Sequence, residues 1–310
     1  MILTVNANAA LDRVIFIDRI KPTTVMRASR VVDSVGGKGL DASVVLQTIG
    51  APNLAISFMA GPTGQVLTSL LDRYGIPHDL VWVDGDTRVA NVIVETEFNR
   101  HSHIMTTGYC VTPDDCRRFL EKVETPAPKA KWMILAGSLP AGAPPDLYAE
   151  AIRIGKKHGV RCLIDSPGDP AREAVRCQPD ILKLNQEEFA DTFHIRARFP
   201  DELVTLARGL MARLGIENVV ITAGSGGILA VTPQQAYLAR APRQVAVNAA
   251  GAGDSVSAVL AYRLMQGDDW PDALRQAAAT SAAVVLTEGT ADCRIEDIQR
   301  ILPLVEVDVL

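Results

Sequence analysis

Hydrophobic positions along this chain follow two periods. Largely apolar runs of five to seven residues, at 2–6, 54–60, 132–137, 160–165, 181–185 and 218–224, read as buried strands. Between them, apolar residues recur every three or four positions at 40–49, 65–74, 113–123, 145–158, 201–214, 254–265 and 271–286, the spacing of helices, and Gly50 suits the end of the first. Apolar strands separated by amphipathic helices predict a mainly parallel sheet covered on both faces. Segment 88–106 differs, because β-branched and polar residues alternate and a turn falls near Asn99-Arg100, which predicts an exposed antiparallel hairpin. Two further strands are expected at 13–20 and 28–35, and a second hairpin around Pro233-Gln234-Gln235. With no internal repeat, low-complexity tract or linker, residues 1–310 read as one α/β domain. Segments 12–35 and 87–106 are expected to form a small separate sheet.

At 310 residues and 48% hydrophobic content the chain can bury a large core. A net charge of −5 argues against a nucleic-acid or anionic-membrane surface. The N-terminus lacks a basic n-region, and its apolar run is broken by Asn6 and Asn8, so no signal peptide is expected. No apolar run approaches the roughly 18 residues of a membrane span. Five scattered cysteines without CxxC spacing suit reduced thiols better than disulfides or zinc. A soluble cytoplasmic protein is expected.

Candidate chemistry gathers at three glycine-rich segments. Ala250-Gly251-Ala252-Gly253 leads into Asp254 and an apolar helix. Side chains this small let backbone N–H groups approach an anion at a helix start, and a carboxylate there suits a base beside a transferring phosphoryl group. Helix capping by Asp254 is the plainer reading. Gly36-Gly37-Lys38-Gly39 can hold an anionic or hydroxylated ligand, or be a simple turn; it lacks Walker A spacing. Thr222 to Gly227, TAGSGG, follows a strand at the edge where open α/β sheets bind ligands, and a hairpin loop accounts for it equally. Asp165 stands at another strand end. Asn185 and Glu188 are three apart after the next strand, able to face a Mg²⁺–phosphate cluster or simply to cap a helix. The absence of GxGxxG leaves a dinucleotide enzyme unsupported.

In order, Asn8-Ala9-Ala10-Leu11-Asp12, GGKG at 36–39, Thr87-Arg88, GSLP at 137–140, NxxE at 185–188, TAGSGG and GAGD make a series. This series resembles the PfkB, or ribokinase-like, carbohydrate kinases, and most closely the branch of 1-phosphofructokinase, tagatose-6-phosphate kinase and the minor 6-phosphofructokinase. The resemblance runs from Asn8 to about Gly289. It implies a three-layer α/β/α sandwich with a β-sheet lid, and ATP- and Mg²⁺-dependent phosphorylation of a ketohexose phosphate. By the same resemblance, Asp254 is the base and Gly251, Ala252 and Gly253 are the anion hole. Lys183, Asn185, Gly253 and the segment Thr222, Ala223, Gly224, Ser225, Gly226, Gly227 take the nucleotide. Asn185 and Glu188 face Mg²⁺ through water and phosphate. Asp12, Arg27, Gly37, Lys38, Asp41, Arg88 and Ser138 line the sugar site, with Arg88 on the existing phosphate. A monovalent cation and a homodimer through the lid belong to the same expectation.

The departures are Asp41 where the family has Asn, Ala9 in place of proline in NPALD, and Leu184 in place of proline in KPN. The return at 100–103 lacks the usual PGP-like turn, and His101 and His103 read as exposed lid residues. Asp41 adds negative charge and removes an amide donor, which keeps open a kinase of an unphosphorylated sugar or nucleoside. A non-catalytic sugar sensor is the reading of a different class, and an intact Asp254 weighs against it.

Overall fold

The computed structural model describes residues 1–98 and 100–310, so the Asn99 position of the expected turn lies outside the described residues. The N-terminal part forms β1 (Ile2–Asn6), β2 (Ala10–Ile17), β3 (Arg30–Gly36), α1 (Lys38–Thr48), β4 (Asn53–Met59), α2 (Gly61–Tyr74), β5 (His78–Trp82), β6 (Arg88–Glu95) and β7 (Arg100–Met105). The middle forms α3 (Pro113–Glu124), β8 (Trp132–Ala136), α4 (Leu147–Lys157), β9 (Arg161–Asp165), α5 (Asp169–Val175), β10 (Ile181–Asn185), α6 (Gln186–Phe193) and α7 (Asp201–Leu214). The C-terminal part adds β11 (Asn218–Thr222), β12 (Ile228–Val231), β13 (Ala236–Arg240), α8 (Ala252–Gln266), α9 (Trp270–Val284), α10 (Ile295–Ile301) and β14 (Glu306–Val309).

Ten strands make one sheet in the order β14-β13-β12-β11-β10-β9-β8-β1-β4-β5. From β11 to β5 neighbouring strands run parallel, and β12, β13 and β14 add an antiparallel edge. The inner strands are mostly apolar because both faces are covered. Trp132, Ile134 and Ala136 of β8 belong to the buried cluster that α8 and α9 cover on one face, while Met133 and Leu135 belong to the cluster that α3, α4 and α7 cover on the other. On the second face Phe58 stacks on Phe119 at 4.4 Å between ring centres. Local chemistry starts α3 where expected. Thr112 and Asp115 form a reciprocal capping box with Pro113 in the first turn, an arrangement worth about 1 kcal/mol.

The small sheet has the order β3-β2-β6-β7, with β2 and β6 parallel and both outer pairs antiparallel. Val14, Phe16, Val92 and Val94 form its buried face, while Val31, Ile104 and Met105 are exposed. His103 is exposed and His101 half-buried.

Several boundaries differ from expectation. The strand expected at 13–20 is β2, Ala10–Ile17, because Ala10 and Leu11 pair with Gly36 and Val35 while the chain leaves the sheet at Asp18. The first segment of the small sheet therefore starts two residues before the expected Asp12 and ends at Gly36. The helix expected at 65–74 begins at Gly61, where Pro62 supplies a first turn without an apolar period. β5 and β14 are short edge strands mixing polar and apolar residues, and α5 and α10 are two-turn helices, so neither type carries a full period. Among the described residues no helix is long and apolar enough to cross a membrane.

Candidate active site

From β1 the chain proceeds to β4 on one side, while β8, on the other side of β1, leads away to β9, β10 and β11. Strand order thus reverses between β1 and β8, and such a crevice at the carboxyl ends of parallel strands is where open α/β sheets take ligands. Asn6 ends β1 and is fully buried. Its Oδ1 accepts the Gly39 N–H at 3.1 Å, and its Nδ2 donates to Ser57 Oγ at 3.2 Å. A side chain from β1 therefore serves the start of α1, whose own cap residue Gly37 has φ of 103° and no side chain to offer. Gly137, after β8, lies against the same amide and the Lys38 backbone. The glycine turn and the GSLP segment so meet on one buried asparagine.

Lys38 reaches across this crevice. Its Nζ donates to Asp165 Oδ1 at 3.0 Å and to Glu188 Oε1 at 2.7 Å. Asp165, at the end of β9, is fully buried and also accepts Lys183 Nζ at 2.7 Å and Ser257 Oγ at 2.8 Å. Burial alone would raise the Asp165 carboxyl, but Lys183 and Lys38 outweigh it and hold the group at about 2. Burial likewise opposes the Lys38 charge, and Asp165, Asp254 and Glu188 overcome it.

The second wall is the start of α8. Gly251 is the cap residue with φ of 79°, and no side chain caps the helix. Asp254 stands in the first turn without capping it, so the plainer reading of this residue does not describe the structure. A Cβ on Gly251 would lie 2.6 Å from Ala291 Cα. Gly251→Ala should therefore cost roughly 1–3 kcal/mol from the positive φ alone, and misplace the turn. Urea unfolding together with kcat would register both effects, and unchanged values would show that the turn tolerates a side chain.

A strap from Thr287 to Asp292 holds this turn from outside. Ala291 N–H donates to Ala250 O at 3.1 Å, and Asn248 Nδ2 donates to Glu288 O at 3.1 Å. The same strap meets β3, where Thr290 N–H donates to Ser34 Oγ at 3.2 Å and Glu288 pairs with Arg30 at 2.6 Å.

Three carboxyl groups converge between these walls. Asp254 is raised to about 6 by burial and by Asp165, against Lys183 and Lys38. Asp12, on β2, is raised to about 7 by burial, against Thr290 and Arg88, with Asp254 adding to the rise. Asp41, on α1, is pushed well above the usual carboxylate range by burial, Asp254 and Asp12. Gly36 is required beside them, since any Cβ there would overlap the Asp12 carboxyl. Arg88 at the start of β6 faces the carboxyl groups, donates to Asn8 O at 3.2 Å, and keeps its Nε buried without a partner among the described residues. Asn8 Nδ2 in turn donates to Ser138 Oγ at 3.1 Å.

Of the residues expected from sequence, Asp12, Gly37, Lys38, Asp41, Arg88, Ser138, Lys183 and the 251–254 turn come together. Lys183 is 2% exposed and lies beneath Gly253, paired with Asp165. Asn185 and Glu188 form a reciprocal capping box at the start of α6, so the capping reading holds, while Glu188 also faces Lys38. Beside them a cavity of about 470 Å³ is lined by Gly168, Arg172 and Thr192. Thr222 ends β11, and Ala223 to Gly227 make the tight connection to β12, with Ala223 N–H donating to Gly227 O at 2.9 Å. Arg27 lies in the exposed connection between β2 and β3 and hydrogen-bonds none of the site residues among those described. Asn6 and Ser257 were not anticipated, and Asp165 was noticed only as a carboxylate at a strand end.

The pfkB family carbohydrate kinase model matches residues 5–298. The 1-phosphofructokinase of Xanthomonas campestris pv. campestris is 32% identical, over 97% of this chain and 93% of its own length. The D-tagatose-1-phosphate kinase of Bacillus licheniformis is 28% identical over 94% and 95%. The fold matches Escherichia coli phosphofructokinase-2 in complex with potassium, with a TM-score of 0.90 at 24% identity over 97% of this chain and 98% of that one. The ribokinase-like sandwich expected above is the observed fold, and the chain belongs to the pfkB family of carbohydrate kinases, phosphotransferases with an alcohol group as acceptor.

Proposed function

We propose that this protein phosphorylates a hydroxyl of a ketohexose phosphate, such as fructose 1-phosphate, fructose 6-phosphate or tagatose 6-phosphate, using Mg-ATP. The observation that carries this reading is Asp254, which stands in the uncapped first turn of α8 facing Asp12, Asp41 and the cations Lys38 and Lys183. In this reading Asp254 accepts the proton of the attacking hydroxyl, and the amides of Gly251 to Gly253 stabilise negative charge on the transferring group. Asp12, Gly37, Asp41 and Ser138 orient the sugar. Lys38 and Arg88 supply positive charge, with Arg88 as the clamp on the existing phosphate. Lys183, Asn185 and the 222–227 segment take the nucleotide phosphates. The exposed position of Arg27 gives it a contact only when the 18–29 connection folds over the sugar.

Mg²⁺ needs one or two carboxylates beside substrate phosphates. The partly exposed Glu188, with Asn185 beside it, fits that requirement through water and phosphate. When bound, the ion neutralises charge on the phosphates. Potassium, named with the E. coli neighbour, is the monovalent cation to add first. In this reading the small sheet is a lid that excludes water, and its exposed Val31, Ile104 and Met105 are the face of a homodimer in the cytoplasm.

The test is initial-rate ADP release from Mg-ATP across free sugars, sugar phosphates and nucleosides, with Asp254→Asn as blank. Turnover confined to hexose phosphates supports the clamp, and turnover on a free sugar alone removes it. A second reading, a kinase of an unphosphorylated sugar, is favoured by the uses Arg88 already has, donating to Asn8 O and facing buried carboxyl groups. Arg88→Leu separates the two. In the first reading KM for the phosphosugar rises about 10- to 100-fold, the worth of a charge-assisted hydrogen bond. In the second, KM for the sugar barely moves.

A further inference from the structure

One tyrosine hydroxyl holds the peptide groups on both sides of Asn8. Tyr109, in the connection between β7 and α3, is 3% exposed. Its hydroxyl accepts the Ala9 N–H at 3.1 Å and donates to Ala7 O at 3.1 Å, with Phe58 O at 3.3 Å as the alternative acceptor. Ala7 O belongs to the peptide before Asn8, and the Ala9 N–H to the peptide after it. Peptide groups are planar, so fixing both planes fixes the two backbone angles of Asn8. The second plane also carries Asn8 O, which points the opposite way and accepts Arg88 at 3.2 Å. A proline at position 9 would have no N–H to offer, so the bridge requires a residue such as the alanine found here.

The stem of Arg88 is seated by the same segment. A Cβ on Gly108 would come within 3.2 Å of Arg88 Cβ and 3.4 Å of its backbone N. Thr106 anchors the approach, its N–H donating to Val89 O at 3.0 Å and its hydroxyl accepting the Val89 N–H at 2.8 Å. Gly108 thus leaves room for the start of the Arg88 side chain, while Tyr109 presents the carbonyl that receives its far end. We propose that Gly108 and Tyr109 are positioning residues that aim the Arg88 guanidinium into the sugar site and so set the affinity for a phosphorylated substrate. This inference rests on the reading of Arg88 as the phosphate clamp.

Tyr148 makes the same kind of bond to a different peptide. Its buried hydroxyl accepts the Ala7 N–H at 3.1 Å and donates to Ala136 O at 2.8 Å. That peptide is held a second time through Asn6 O, which accepts Ser57 Oγ at 2.7 Å. Tyr148→Phe therefore deletes an equally buried hydroxyl without freeing the plane that receives Arg88.

Tyr109→Phe keeps the ring, which meets Phe58 edge-on at 6.2 Å between ring centres, and removes only the hydroxyl. KM for the hexose phosphate should rise about 5- to 30-fold, while KM for Mg-ATP stays within about twofold of wild type. Tyr148→Phe should lower the urea unfolding midpoint without that split. Gly108→Ala keeps the hydroxyl but crowds the Arg88 stem, and should raise the same KM about 2- to 5-fold even if Tyr109→Phe folds poorly. On an Arg88→Leu background, Tyr109→Phe should change KM by less than about twofold, because both substitutions remove one contact. Equal rises in the two KM values, a full further loss on Arg88→Leu, or matching effects of the two tyrosine variants would overturn the proposal. Failure of the clamp reading looks different, since Arg88→Leu would then leave KM for the hexose phosphate unmoved. The seating itself is read without substrate. In crystals of the Tyr109→Phe enzyme the Asn8–Ala9 peptide should turn and the guanidinium leave Asn8 O. Both unchanged would show that the hydroxyl does not position Arg88.

Discussion

Asp254→Asn lowers kcat by roughly 10²–10⁴-fold while Mg-ATP still binds. The amide has nearly the volume of the carboxylate but cannot take a proton, so on the proposed function the substitution removes the base and leaves the turn. Nothing else near the attacking hydroxyl replaces it in this reading. Asp165 is tied to two lysines and a serine, and Asp12 and Asp41 share burial and mutual repulsion that keep them protonated longer. Because Asp254 is raised to about 6, the proposed base is ionised above that value and protonated below it. Wild-type kcat should thus fall about tenfold per pH unit on the acid side of about 6. Nucleotide binding followed by fluorescence or calorimetry, beside single-turnover rates, separates the two effects. Near-normal turnover in the variant would remove Asp254 from the mechanism.

Lys183→Met costs about 3–5 kcal/mol of stability, the range for breaking a buried ion pair from one side. The methionine fills much of the space but leaves the fully buried Asp165 with Lys38 and Ser257 alone. Lys38→Met should cost less stability, because the Lys38 side chain is 25% exposed against 2% for Lys183. Urea unfolding midpoints measure both. The pH dependence is a further check. Asp165 is depressed on folding, so its contribution is present above about 4 and is lost as pH falls towards about 2. The gap between wild type and Lys183→Met should narrow over that window. An equal cost for the two lysines, with no narrowing, would mean that the pair stabilises little.

Legibility from sequence followed the range over which each signal acts. The inner parallel strands stood out because each buries residues on both faces, and the glycine turns because small residues dominate them. The 251–254 turn was visible as chemistry, but whether Asp254 caps α8 depends on which residue takes the cap conformation, and φ at Gly251 decides it. Asn185 and Glu188 show that one pair can satisfy a capping box and still offer a carboxylate to Lys38. Asn6 and Ser257 looked like ordinary polar residues in apolar segments. Their functions come from partners 33 and 92 positions away, Gly39 and Asp165, and no local period reports such pairings. β5 and β14 escaped for the opposite reason, being short edge strands whose outer positions face water.

The strap from Thr287 to Asp292 is a mechanical link. On one side it grips β3 through Ser34 and Arg30, and on the other it grips the Ala250 carbonyl and Asn248. Pulling β3 away from the main sheet must either break two contacts or drag the strap, and with it the glycine turn. Opening of the cleft and loosening of the helix start are then one displacement seen from two ends. The amides around Gly251 would be in register only when β3 is seated, so a half-open cleft would admit ligands to a turn not yet tensioned for charge transfer.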